Sequence, residues 1–150
     1  MAWTAITEAD IRRKWAGAEW TAIKTAALGS GQNADTMLAE EIAAATRHIR
    51  ARVGACAQNK LGPPGTIPDE LEDVALVVLR YSLSTRLPGY KMTEERRKLY
   101  EDAVETLKDV AKCQFSIEPP EQESEEARPH QRPAITSPPL QFGAESTDGI

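Results

Sequence analysis

Residues able to do chemistry are few in this chain. Two cysteines, Cys56 and Cys113, and two histidines, His48 and His130, are its whole stock of thiols and imidazoles. They form no CxxC, HExxH or Cys/His cluster, so neither a metal nor any other cofactor is expected. Each cysteine falls at a helix end among small or apolar residues, which predicts buried thiols in a soluble protein made in a reducing cytoplasm. A bridge between them is possible in principle, but nothing in the sequence supports one. His48 sits beside an apolar stripe with no second His, Cys or Asp close by, as a boundary histidine would. Glu101, Asp102, Glu105 and Asp109 are interleaved with Lys98, Lys108 and Lys112, the pattern of a solvated helix face with i,i+4 pairs. Gly62-Pro63-Pro64-Gly65-Thr66 is no phosphate cradle, because its prolines remove amide donors and no Gly-Lys-Ser/Thr follows. An enzyme is therefore not expected.

The elements that would position any surface are helices. Thr7 is a good N-cap, with Glu8 and Asp10 in the first turn, for a short helix through Ile11 and Trp15. After Gly17 a second helix, 18–28, turns Trp20, Ile23 and Ala27 inward. Gly29 to Asn33 is a loop by composition. Asp35 then caps a long helix to about Cys56, whose Leu38, Ile42, Ala45, Ile49 and Val53 recur at helical spacing. Its opposite face carries Glu40, Glu41, Arg47, Arg50 and Arg52. The stretch 59–68 can be neither helix nor strand interior. A fourth helix, from Pro68 to about Thr85, is apolar around most of its circumference, as expected of a helix buried between neighbours or against another subunit. A fifth runs from Thr93 to about Lys112 with Leu99, Ala103, Leu107 and Val110 inward, flanked by Tyr100 and Val104. No segment alternates with period two for long enough to make a core strand.

The chain has 150 residues, 41% hydrophobic and 27% charged, with a net charge of −5. That charge is not evenly spread. Residues 1–117 hold sixteen acidic and sixteen basic side chains. Residues 118–150 hold seven acidic and two basic ones, together with six of the ten prolines. The expected organisation is thus an all-α bundle of four to five helices over 1–117, followed by an extended, proline-rich acidic arm over 118–150. The arm cannot bury enough apolar surface to order itself. Isolated apolar residues within it, Ile135, Leu140, Phe142 and Ile150, are candidate linear contacts. No run approaches the length of a membrane span, and Met1 to Asp10 lacks the basic and apolar regions of a secretion signal.

Three basic clusters remain: Arg12-Arg13-Lys14, Arg47/Arg50/Arg52 and Arg96-Arg97-Lys98. Each has acids nearby, whereas phosphate binding needs positive charge gathered on one surface. Residues 7–28 could imitate a helix-turn-helix, but the second helix would offer only Glu19 and Lys24 to base edges.

The order of elements and several short strings carry a resemblance. They are Ile6-Thr7-Glu8-Ala9-Asp10-Ile11, the segment Leu61 to Leu71, Leu79-Arg80-Tyr81-Ser82-Leu83-Ser84-Thr85-Arg86-Leu87, and Arg96-Arg97-Lys98-Leu99-Tyr100-Glu101-Asp102-Ala103. Over residues 4–117 the chain resembles the Mu-like phage and prophage family of small helical proteins related to head-to-tail connector adaptors. The resemblance implies a head completion protein of the virion. It would form a ring of copies, usually twelve, beneath the portal protein, extending the DNA channel and giving the tail or stopper protein its platform. Portal or subunit contacts would come from Phe115, Ile117, Arg128, Arg132, Ile135, Leu140 and Phe142. Arg47, Arg50 and Lys60 would face either the DNA channel or a neighbouring subunit. The competing expectation is a small helical DNA-binding or regulatory protein.

Overall fold

The computed structural model describes residues 2–121. Among them are five α-helices, α1 (Glu8–Lys14), α2 (Gly17–Gly29), α3 (Ala34–Ala55), α4 (Glu72–Arg86) and α5 (Glu94–Ala111), with a 3-10 turn at Asp69–Leu71. Two short strands, β1 (Trp3–Thr4) and β2 (Ile67–Pro68), pair antiparallel. This two-residue ribbon was not expected. It exists because Trp3 lies over the Gly62–Pro64 loop and brings the chain start beside Ile67; Pro68, which cannot donate to a ladder, is tolerated on so short an edge.

The caps explain where the helices begin. Thr7 accepts from the Asp10 amide while the Asp10 carboxylate takes the Thr7 N–H, a complete capping box. These bonds hold the Asp10 carboxyl below its usual pKa, with Arg13 and Lys14 adding to the effect. The cap of α3 is Asn33, not Asp35: its side-chain oxygen accepts from the amides of Asp35 and Thr36. Asp35 instead lies in the first turn, where its charge suits the helix dipole.

α3, α4 and α5 pack against one another and α2 leans on α3. Their shared core contains Leu38, Ala45, Ile49 and Val53 of α3, Ala75, Leu76, Leu79 and Leu83 of α4, and Leu107 and Val110 of α5. Within the domain α4 already has much of its apolar circumference covered. It lies between α3 and α5, and Val74 and Val78 also pack on the core. The inner stripe of α5 differs from the expectation by one residue. Leu99 is 49% exposed, and Tyr100 takes its turn of the helix by stacking on Tyr81, with ring centroids 3.7 Å apart. Tyr100, Ala103, Leu107 and Val110 then follow a clean 3-4-3 spacing.

The largest departure concerns the cysteines. Cys56 and Cys113 are joined in a disulfide across 57 positions of sequence, with Cα atoms 5.3 Å apart. The bridge ties the end of α3 to the end of α5. The local geometry that allows this is a Schellman ending of α5. The Gln114 N–H donates to the Asp109 carbonyl and the Cys113 N–H to the Val110 carbonyl. Cys113 thereby occupies the left-handed position, at φ 62°, where glycine is usual. Sequence spacing could not show this, because pairing depends on two helix ends meeting in space.

Beyond α5 the chain turns back along the domain. Phe115 and Ile117 pack partly buried on the core. The Glu118 N–H donates to Glu70 Oε1 at 3.0 Å, and the Trp3 indole N–H donates to the Glu118 carbonyl at 3.4 Å.

Candidate interaction surface

A groove of about 680 Å³ runs along the outer side of α3. Its walls are apolar: Ile6 before α1, Ile42 on α3 and Leu61 in the following loop. Ala39 and Ala43 lie exposed along it, because their short side chains leave the helix surface uncovered. Arg47 stands exposed at its rim.

One end of the groove is built by Arg50, which is 7% exposed. Its Nη1 donates to the carbonyls of Pro63 at 2.9 Å and Thr66 at 2.8 Å, and its Nη2 donates to that of Gly62 at 3.1 Å. The guanidinium also lies 5.7 Å from the Trp3 ring centroid. The loop it holds is a tight turn. Pro64 sits at the second position and Gly65, at φ 78°, at the third, as a type II turn requires. Gly62 meets the face of Trp3 so closely that a β-carbon would lie 2.6 Å from the indole. The Gly-Pro-Pro-Gly sequence therefore works through its carbonyls. Those of Gly62 and Pro63, with that of the following Thr66, converge on one planar cation, whose fork of donors suits such a cluster.

Arg50 was expected to face a DNA channel or a neighbouring subunit. Its side chain is instead buried and committed to the loop, whereas Arg47 and Lys60 are exposed. Phe115 and Ile117 pack half-buried against their own domain's core. Arg128, Arg132, Ile135, Leu140 and Phe142 fall outside the described residues.

A second polar cluster lies on the other side of the bundle. Glu19 of α2 is 8% exposed. Arg80 Nε lies 2.8 Å from its Oε1 and Arg96 Nη2 lies 3.4 Å from it. Arg80 Nη2 donates to Oε2 at 3.1 Å, and the Tyr90 hydroxyl donates to Oε1. Arg80 further covers the Trp15 ring at 4.9 Å. Burial, and then the Glu19 charge, raise the Tyr90 phenol well above its ordinary value. The cluster joins α2 to α4 and the start of α5, and it removes Glu19 from any surface. Arg80 carried the available signal, as a cation directly after the apolar run Val74 to Leu79.

Several of the other basic residues are matched by acids of the same domain. Arg12 pairs with Glu8, Arg13 with Asp10, Lys14 with Asp73, and Arg86 with Glu40 and Glu41. Partial desolvation and the Arg52 charge hold the His48 imidazole below its usual value. Among the described residues no group of His, Cys, Asp and Glu could hold a metal ion. None of the helices there is long and apolar enough to cross a membrane. Among the described residues the surface thus offers an apolar groove, a loop held by Arg50 and charges of both signs.

Comparison with known proteins gives one match. The model of the family described as Bacteriophage Mu, Gp36 matches residues 6–135. It extends past Ile117, where the resemblance in the sequence ended, into the proline-rich segment. No curated protein and no solved structure matches the chain.

Proposed function

The chain belongs to the Bacteriophage Mu Gp36 family, a non-catalytic family of Mu-like phage structural proteins associated with head and tail assembly, and from that premise we propose that it is a connector adaptor. In this reading copies of the helical domain pack side by side in a ring beneath the portal protein. The ring continues the DNA channel and presents a platform to the tail or stopper protein. Residues 118–150 form an arm that reaches the portal through Arg128, Arg132, Ile135, Leu140 and Phe142. Arg47 and Lys60 face the channel or a neighbouring subunit.

The observation that carries this reading is the span of the family match. It covers the helical region and the first part of the arm together, as is expected if the two act as one unit. Surface charge of both signs, partly paired within the domain, suits the same role, because lateral packing of identical subunits places each face against a copy of another. It also weighs against the DNA-binding alternative, which needs a basic face. Repetition around a ring would make individually weak arm contacts firm in sum.

Electron microscopy of the purified protein with its portal tests the proposal, supported by native mass measurement. The expected result is a ring at the portal vertex. Failure to bind the portal, together with salt-sensitive duplex binding by the isolated monomer, overturns it. Deleting residues 118–150 should abolish portal attachment while leaving the helical circular dichroism intact.

A further inference from the structure

The described structure ends close to the groove on α3. Glu118 is the last residue with named anchors, and one of them is the indole N–H of Trp3. Trp3 in turn packs on Gly62 and lies under the guanidinium of Arg50, which with Leu61 forms the near end of the groove. A single side chain thus separates the exit of the chain from an open apolar channel. We propose that this groove is the docking site of the chain's own segment 122–150, seated through Ile135, Leu140 and Phe142.

Three observations converge on this occupant. The first is reach. Ile135 lies fourteen residue steps beyond Glu121, and such a length extends to roughly 45 Å. The groove follows α3 from Ala39 to Ala51, about 18 Å of helix. The second is charge. Glu121, Glu123, Glu125 and Glu126 lead into the segment, and Arg47 stands at the groove's rim. The third is chemistry. The groove offers Ile6, Ile42 and Leu61 as walls, and the segment holds just three large apolar residues before its final Ile150. A volume of about 680 Å³ is of the size that encloses a small ligand or a few side chains.

Tethering decides between this occupant and a second copy. A linker of this kind raises the local concentration of the segment to the order of millimolar, which a second copy at micromolar concentration does not match. The inference holds whether or not the arm later reaches a portal. It adds that the same apolar residues cannot fill the groove and a partner at once, so the partner must displace them.

Site-specific photo-crosslinking of the full-length protein tests this. A benzophenone amino acid replaces Ala43, in the groove, or Glu101, exposed on the outer face of α5, as the measure of random collision. The expected result is a cross-link within one chain from position 43 into residues 130–145. Its yield should be several-fold above the position 101 background and unchanged by dilution. The triple variant Ile135→Ser, Leu140→Ser, Phe142→Ser touches none of the described core and should return the yield to background. Cross-links between chains that fade on dilution would assign the groove to a second copy and overturn the proposal. Yields equal at positions 43 and 101, or unaffected by the triple variant, would overturn it as well.

Discussion

Replacing Arg50 by Ala separates a structural role from a channel-facing one. Three carbonyls, at 2.8, 2.9 and 3.1 Å, depend on this guanidinium. The Pro63 carbonyl keeps the Thr66 hydroxyl and amide as donors at 2.7 and 3.2 Å. The carbonyls of Gly62 and Thr66 lose the donor that Arg50 supplies. Each buried carbonyl left without a partner costs about 1–3 kcal/mol. With the lost packing on Trp3, a total of about 3–5 kcal/mol is expected, the range for breaking a buried charged network. For a domain of this size each kcal/mol lowers the melting temperature by roughly 4 °C, so a fall on the order of 12 °C or more should appear in circular dichroism at 222 nm. Arg50→Lys should recover little of it, because an ammonium is a point donor without the planar fork. Arg47→Ala, at an exposed site, should change stability by no more than about 0.5 kcal/mol. If Arg50→Ala melts with the wild type while particle assembly is lost, the side chain acts on a partner and the loop-holding account is wrong.

The disulfide closes a loop of 57 positions, for which chain entropy alone gives roughly 4 kcal/mol as an upper figure. Reductant or Cys56→Ser should therefore lower the melting point clearly, and alkylation of the unfolded, unreduced protein should find no free thiol. Gly62→Ala pushes a β-carbon into the Trp3 indole and should cost about 1–3 kcal/mol by overpacking; an unchanged denaturation midpoint would refute the close approach. Tyr90 is raised in the folded state, so its contribution is fully present below the ordinary tyrosine value and falls as pH rises through it. Alkaline titration followed at 295 nm should show one tyrosine ionising only as the protein unfolds, and Tyr90→Phe should remove that late step.

How much was legible in the sequence followed the range of the interactions concerned. The periodicity of Leu38, Ala45, Ile49 and Val53 and the Thr7 cap are set within a few residues of themselves, and the helices stand where those patterns put them. Arg50 and Glu19 looked like surface charge because their partners are distant or are backbone atoms. A carbonyl has no residue type, so no residue type in Gly-Pro-Pro-Gly-Thr announces that three of them will surround a guanidinium. The cysteine pair failed for a related reason: two cysteines 57 positions apart become neighbours only when α3 and α5 end at the same height. Leu99 failed by a single residue, since an α-helix does not distinguish 99 from 100 until Tyr81 supplies a ring for Tyr100 to stack on. The neutral charge of residues 1–117 was legible as a sum, and the pairings give it physical content. Most of the cations in that domain are already bound to the chain's own acids or carbonyls. What the domain leaves exposed for others is therefore less its charge than its apolar groove, and that groove opens beside the point where the acidic arm begins.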